Sequence, residues 1–130
     1  MSRRVVSAVV ALVLAAKTVP ALAQLPPYAA QMERLAEILG SLHYLAGLCD
    51  EGPSPWREAM IGLLDAEAPA EPFRARIIDR FNVGYASFAA VYQRCTDAAE
   101  AAITRYREEG AALAARVTVD FGTPPPAPAP

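Results

Sequence analysis

Two cysteines and one histidine are the residues of this chain best suited to chemistry, and their small number limits what they can do. Cys49 and Cys95 are the only cysteines, and His43 is the only histidine. A metal site needs several such ligands, commonly in closely spaced pairs such as C-x-x-C, and this chain has no such pair. The cysteines can form a structural disulfide, act as redox-active or free thiols, or bind a metal. We predict the disulfide, with no metal site.

His43 is the one side chain suited to proton transfer near neutral pH, because an unperturbed imidazole titrates there. The charged residues expected near it are Asp50, Glu51 and Arg94. No serine stands at a recognisable nucleophile turn, and no carboxylate is spaced to orient the ring. A lone histidine beside an apolar stripe is typical of the edge of a core. We therefore predict no catalytic residue, no cofactor-binding residue and no cofactor.

Three further patterns allow a binding role beside a structural one. Aromatic residues at helical spacing either line a ligand pocket or, more usually, form core. These aromatic residues are Tyr85, Phe88, Tyr92 and Tyr106. Gly40, Gly47 and Gly84 each cost a helix about 1 kcal/mol relative to alanine, which close helix packing or a partner's docking groove would explain. Arg105 and Glu109 are four residues apart, which indicates a solvated helix face.

The start of the chain has the features of a signal peptide. Two arginines precede an apolar run over residues 5–16, and small residues follow, with a cleavage site predicted between Ala23 and Gln24. A membrane anchor is the alternative, but Lys17 and Pro20 interrupt the run well short of the roughly 20 apolar residues that a span needs. The arginine pair leaves the twin-arginine route open beside the general one.

Export places the two cysteines in an oxidising compartment, where a disulfide is the usual outcome. The mature chain would keep nine basic side chains, all arginine, against 14 acidic ones, a net charge of about −5. Such a surface does not favour a polyanion. We therefore expect a periplasmic protein with no nucleic-acid partner and no stable membrane insertion after cleavage.

The mature chain reads as helices separated by turn-forming residues. The first helix has apolar residues at alternating steps of four and three, the pattern of an amphipathic helix. Its stripe is Tyr28, Met32, Leu35, Leu39, Leu42, Ala46 and Cys49. Ile38 and Leu45 widen the stripe, which predicts packing against more than one neighbour. Gly52 and Pro53 end this helix.

Three more helices follow from capping residues and apolar spacing. Ser54 is predicted to cap a second helix that has Pro55 at its first position and fades near Glu67. Two further stripes are Ile77, Phe81, Tyr85, Phe88, Tyr92 and Cys95, and then Ala99, Ile103, Tyr106, Gly110, Leu113 and Val117. These two stripes almost join, so one helix of about 45 residues, roughly 65 Å long, is the alternative. Thr96 can cap a separate fourth helix, with Asp97 favourable in its first turn, so we predict a break there.

These elements predict an all-α fold: a small up-down bundle of about four helices with one inter-helix disulfide. Helices one and three would then be parallel, and Cys49 and Cys95 would close them in the same layer. The loop-entropy account gives such a bridge about 4 kcal/mol. We divide the chain into a signal peptide over residues 1–23, a helical domain over residues 24–122 and a Pro-rich tail over residues 123–130 that we predict to be disordered. The tail suits an extended polyproline conformation and serves as a spacer or as a recognition segment for a groove.

Several segments, in order, resemble one family: "LAEILGSLHYLAGLC", "WREAM", "LLDAEAP", "RFNVGYASF", "YQRCT" and "RYREEG". They are similar to an uncharacterised family of small exported alphaproteobacterial proteins, a domain of unknown function, over roughly Tyr28 to Phe121. The resemblance implies a periplasmic setting and a bridge between two separated cysteines, here Cys49 and Cys95. It implies no activity, substrate or catalytic residue.

The function expected from the sequence is that of a non-enzymatic interaction or accessory module of the cell envelope. Its partner would be another envelope protein. A binder of a small apolar ligand in the helical core is the first alternative, and a hydrolase or redox enzyme is the second.

Overall fold

The computed structural model describes residues 25–49 and 52–122. Within these ranges it contains four α-helices and no strand. They are α1 (Ala29–Leu48), α2 (Trp56–Glu67), α3 (Phe73–Ala89) and α4 (Asp97–Phe121). The all-α prediction is confirmed. The signal peptide with its predicted cut, the Pro-rich tail, Asp50 and Glu51 lie outside the described residues.

Helix α1 is the centre of the molecule, and each of the other three helices packs against it. Ten of its 20 residues are buried, against one in α2, three in α3 and four in α4. A helix that is apolar over more than one stripe must bury itself against several neighbours. The widening of the stripe by Ile38 and Leu45, both wholly buried, had predicted this arrangement.

Helix α3 runs parallel to α1, as predicted. The Arg76 Nη2 atom lies 2.6 Å from Glu33 Oε1, and Arg80 pairs with Glu37. Each step of four residues along α1 is therefore matched by a step of four in the same direction along α3.

Helices α2 and α4 run the other way. At the start of α1, the ring centroid of Tyr28 lies 5.7 Å from that of Phe121 at the end of α4. At the other end of α1, Cys49 is bonded to Cys95, just before α4 begins. Glu67, the last residue of α2, also lies beside Tyr28. The four helices therefore alternate in direction, which confirms the up-down bundle.

Two glycines let α3 approach α1 at backbone distance. A Cβ built on Gly40 would overlap the backbone oxygen of Phe81, and one built on Gly84 would overlap that of Glu37. Between them the buried Ser41 hydroxyl donates to the Glu37 carbonyl oxygen at 2.9 Å. Close helix packing is confirmed as the reason for Gly40 and Gly84. Gly47 is different, since a Cβ there would meet nothing within 4 Å.

The predicted capping residues had different outcomes. Thr96 caps α4 by accepting a hydrogen bond from the Ala99 amide at 3.1 Å, so the break before α4 is confirmed. The prediction for Ser54 is wrong: α2 begins at Trp56 after Pro55, and no side chain caps it. The Ser54 hydroxyl instead lies 3.1 Å from a ring nitrogen of His43. An imidazole nearby competes with the backbone amides for that hydroxyl.

The core consists of two clusters placed along α1. One joins the first half of α1 to α2 and α3 and contains Ala29, Met32, Ala36, Leu39, Met60, Phe73 and Ile77. The other joins the second half to α4 and contains Ile38, Leu42, Leu45, Ala99, Ala102, Ile103 and Leu113. Trp56 and Leu35 pack against both clusters, so these two side chains connect the halves of the core.

Candidate functional site

The disulfide joins the end of α1 to the loop that precedes α4. The two sulfur atoms are 2.07 Å apart, and the Cα atoms of Cys49 and Cys95 are 4.8 Å apart. Cys49 follows the last residue of α1 and is half-buried. The expectation that Cys95 closes α3 on its inward stripe is wrong, because α3 ends at Ala89 and Cys95 is an exposed loop residue. The bridge therefore fixes where α4 starts relative to α1.

His43 is half-buried among aromatic side chains near the same end of α1. Its ring centroid lies 5.9 Å from that of Phe81 and 5.7 Å from that of Tyr85. Its Nδ1 atom pairs with the Ser54 hydroxyl at 3.1 Å. A hydroxyl beside an imidazole is the first part of a nucleophile–base arrangement, which also needs a group that orients the base. Among the contacts of the described residues, no carboxylate fills that role for His43.

Among residues 25–49 and 52–122, no group of three or more histidine, cysteine, aspartate or glutamate side chains is placed to hold a metal ion. In the same residues, no helix is both long and apolar enough to cross a membrane.

The predicted aromatic set divides between core and surface. Phe88, Tyr92 and Tyr106 pack against the second cluster, and the Phe88 and Tyr106 rings meet edge to face at 5.4 Å. Tyr85 is 42% exposed and meets the Tyr44 ring edge to face. The four side chains therefore do not line one pocket.

One concave surface of the described residues is an apolar cleft that the sequence did not predict. It lies between α2 and α4 and measures ≈ 260 Å³. Leu35, Leu39 and Leu42 of α1 form its floor, and Trp56 of α2 and Tyr106 of α4 form its walls. We call this the Trp56 cleft. It exists because α2 and α4 each pack against α1 with little contact between them.

A glycine keeps the Trp56 cleft open from the α4 side. Gly110 occupies the inward stripe of α4, and a Cβ built there would lie 3.3 Å from Ile38 Cγ2 and 4.0 Å from Leu35 Cδ1. A larger residue would fill the space that Gly110 leaves. A glycine in the middle of an apolar stripe was the signal in the sequence that a cleft could lie opposite it.

Trp56, which lines this cleft, also carries a buried polar group. Its indole Nε1 atom is buried and has no hydrogen-bond partner among the described residues. The Arg107 guanidinium lies over the indole ring, 5.6 Å from the ring centroid. A buried donor without an acceptor costs about 1–3 kcal/mol.

A charge network links helices α1, α3 and α4. Arg34 of α1 binds Glu109 of α4 through two hydrogen bonds, Nε to Oε1 at 2.7 Å and Nη2 to Oε2 at 2.9 Å. Arg34 also contacts Glu37, which pairs with Arg80 of α3. The hydrogen bonds from Arg34 hold the pKa of Glu109 below its usual range and raise that of Arg34. Glu109 therefore has its main contact with Arg34 of α1. Arg105, the partner expected from the sequence, lowers the pKa of Glu109 less than Arg34 does.

Comparison with known families gives a decisive match. A family described as "Protein of unknown function (DUF2385)" matches residues 27–121, which include all four helices. The chain belongs to this family. No curated protein and no solved structure matches the chain. The match confirms the resemblance to a domain of unknown function, and any function must be argued from the residues themselves.

Proposed function

We propose that this chain is exported, cleaved between Ala23 and Gln24, and acts in the periplasm as a non-enzymatic accessory module. In this proposal the Trp56 cleft receives apolar side chains of another envelope protein. The oxidised pair Cys49–Cys95 supports the export part, because persistent disulfides belong mainly to oxidising compartments.

The observation that carries the binding role is the composition of the Trp56 cleft. Its floor is leucine and isoleucine, its walls are Trp56 and Tyr106, and Arg107 also lines it. Tryptophan, tyrosine and arginine are the residue types that most often dominate binding energy at protein interfaces. A rigid aromatic wall over an apolar floor suits the anchoring side chain of a partner.

The size of the cleft favours a protein partner over a larger ligand. Sites for drug-sized molecules commonly measure about 300–1,000 Å³. The Trp56 cleft, at ≈ 260 Å³, lies below that range. Such a volume accommodates one or two large side chains, as expected for the centre of a protein interface.

The surroundings of His43 support the non-enzymatic part. The ring is packed by Phe81 and Tyr85 and held by the Ser54 hydroxyl. These contacts fix the linker before α2 against α1. Among these contacts of the described residues, no carboxylate orients His43 as a base.

Site-specific photo-crosslinking in cells tests this proposal. A photoreactive residue at Ala111, which lines the cleft and is exposed, should capture an envelope protein. The same residue at Ala86, exposed on α3 away from the cleft, is the matched control. We expect adducts from Ala111 that disappear when Trp56 is replaced by alanine. Equal capture from both positions, or none from Ala111, would contradict the proposal.

A small apolar ligand in the same cleft is the second candidate, favoured by its almost wholly apolar lining. Native mass spectrometry of protein purified from the envelope distinguishes the two. A bound lipid fragment or metabolite that is lost from an Ala111→Leu variant would favour the ligand. Clean unliganded spectra together with Ala111 cross-links would favour the protein partner.

A further inference from the structure

A second concave surface lies at the opposite end of the molecule from the disulfide, where the chain leaves α4. This Tyr28 cleft measures ≈ 360 Å³ and is lined by Tyr28, Glu67, Val117, Thr118, Phe121 and Gly122. It is separate from the Trp56 cleft, with which it shares no lining residue. Nothing in the proposed function uses it.

The Tyr28 cleft continues into a neighbouring depression. That depression measures ≈ 250 Å³, lies under the linker between α2 and α3, and is also bordered by Tyr28 and Glu67. Its far side is formed by Pro72 and Phe73. Together the two form a path that starts at Gly122 and is bordered by aromatic rings at both ends.

The rings of this path are arranged to accept proline. The Tyr28 and Phe121 centroids are 5.7 Å apart, with the planes tilted by 54°. Phe121 is 40% exposed. Burial, the charge of the neighbouring Glu67 carboxylate and a hydrogen bond to it raise the pKa of Tyr28. Aromatic-lined grooves of this kind are the usual surface on which proline-rich segments dock.

The chain leaves α4 in a conformation suited to proline. Gly122 has φ −67° and ψ 162°, close to polyproline II values of about −75° and +145°. The eight residues that follow are Thr123, Pro124, Pro125, Pro126, Ala127, Pro128, Ala129 and Pro130. They carry no charged side chain, and proline rings suit the aromatic rings of Tyr28 and Phe121 in a cleft that also has polar lining.

From these observations we propose that residues 123–130 fold back along the Tyr28 cleft of their own chain. The proline rings would pack on Tyr28 and Phe121, and the segment would cover the path toward Phe73. Eight residues in polyproline II geometry extend about 25 Å, at 3.1 Å per residue. That is about twice the 10–12 Å diameter of a helix, so the segment is long enough to cross both depressions.

Attachment to α4 makes even a weak contact effective. A segment joined by a short connection experiences its site at an effective concentration in the millimolar range. An intrinsic dissociation constant of about 1 mM would therefore leave the cleft occupied in a large fraction of molecules. The occupant we assign is the tail itself, and occupation by a second copy of the chain is the main competing outcome.

Nuclear magnetic resonance of the mature chain, residues 24–130, tests the proposal. We expect nuclear Overhauser contacts between the proline protons of residues 124–126 and the ring protons of Tyr28 and Phe121. These contacts should be unchanged on dilution, as required for docking within one molecule. Tail signals identical to those of the free peptide TPPPAPAP would overturn the proposal, and so would contacts that weaken on dilution.

Two matched variants at the end of α4 separate docking from a general change in the helix. Phe121→Ala removes a ring of the cleft, whereas Val119→Ala changes a side chain that is 83% exposed and does not line the cleft. We expect the proline–Tyr28 contacts to be lost in the first variant and kept in the second. Retention in both would overturn the role of Phe121. Loss in both would show that the contacts depend on an ordered end of α4 and not on the Phe121 ring, and would overturn the proposed docking.

Discussion

The two sides of α1 hold their neighbouring helices by different means. On one side, Gly40 and Gly84 bring the α3 backbone directly against that of α1. On the other side, Gly110 of α4 faces the side chains of Ile38 and Leu35, and a cleft lies beside it. A glycine opposite a backbone therefore creates close packing, whereas a glycine opposite side chains leaves open volume. The first serves stability and the second leaves a surface for binding.

Beside the open cleft, a covalent bond and an ion pair hold α4 against α1. The Cys49–Cys95 bridge fixes one end of α4, and the Arg34–Glu109 pair fixes its middle. The α3 side has no bridge of its own and depends on close backbone packing, with surface pairs such as Arg76–Glu33 beside it.

Of the changes considered, removing the bridge should lower the unfolding free energy most. We expect the double variant Cys49→Ser, Cys95→Ser to lose about 4 kcal/mol of unfolding free energy, because the bridge closes a loop with a separation of 46 residues. Urea unfolding measures the loss, and intact mass with and without reductant checks that the parent is oxidised. An unchanged midpoint, or two free thiols in the parent, would show that α4 is held without the bridge.

Adding one methyl group between α1 and α3 should cause the next largest loss of stability. Gly40→Ala places a Cβ against the Phe81 backbone, so the two helices must separate. We expect a loss of about 2 kcal/mol, since overpacking exceeds the gain of about 1 kcal/mol from helix propensity. Thermal melting beside Gly62→Ala, where a Cβ meets nothing within 4 Å, gives the control. A Gly40→Ala protein as stable as the parent would mean that the close approach is not required.

The ion pair on the α4 side should have a smaller, pH-dependent effect. The pKa of Glu109 is lowered in the folded chain, so its contribution is present above the unfolded pKa of about 4.3 and is lost as pH falls through the lower folded value. The Arg34 and Glu109 side chains are 37% and 38% exposed, which limits the contribution to about 1 kcal/mol. Glu109→Gln should lose this amount at pH 7 and little at pH 3.

Glu108→Gln is the matched control for that experiment, because Glu108 is an exposed neighbour on the same helix. Unfolding curves at both pH values should leave the control near the parent. If Glu109→Gln and Glu108→Gln have the same unfolding free energy at pH 7, the Arg34–Glu109 pair does not help to hold α4.

Filling the space at Gly110 should have the smallest effect on stability. In Gly110→Ala the new methyl group lies 3.3 Å from Ile38 Cγ2, a tight contact that offsets the helix-propensity gain. We expect a change within about 1 kcal/mol, against a gain of up to about 1 kcal/mol for Gly62→Ala. Differential scanning calorimetry of both variants measures this difference. A loss as large as that of Gly40→Ala would show that both sides of α1 are equally close-packed.

Much of the fold could be predicted because its signals are local. The alternating steps of α1 and the Thr96 cap are each read within a few residues, and both agree with the structure. Helix α1 ends at Leu48, earlier than the predicted stop at Gly52 and Pro53. Ser54 shows where prediction from local sequence fails. Its capping role was lost to His43, which is 11 residues away and reaches it only after the linker folds back on α1.

The candidate site could not be predicted in the same way, because it depends on distances between helices. The Arg34–Glu109 pair joins residues 75 positions apart, and the local spacing pointed instead to Arg105. Likewise, the pattern placed Cys95 at the end of α3, although that helix stops six residues earlier. Periodicity identifies which face of a helix is apolar, but not how much of that face its neighbours leave uncovered.

The alternation of four helices has a consequence for how the molecule can be joined to something else. Leu25 and Gly122 both lie close to Tyr28, so the two ends of the described chain emerge from one pole, and the bridge occupies the other. A short connector between those ends would close the chain into a ring, which could be reopened at the linker between α2 and α3 without cutting a helix. Conversely, a domain attached at either of these ends would leave the opposite end of the bundle, with the Cys49–Cys95 bridge, uncovered.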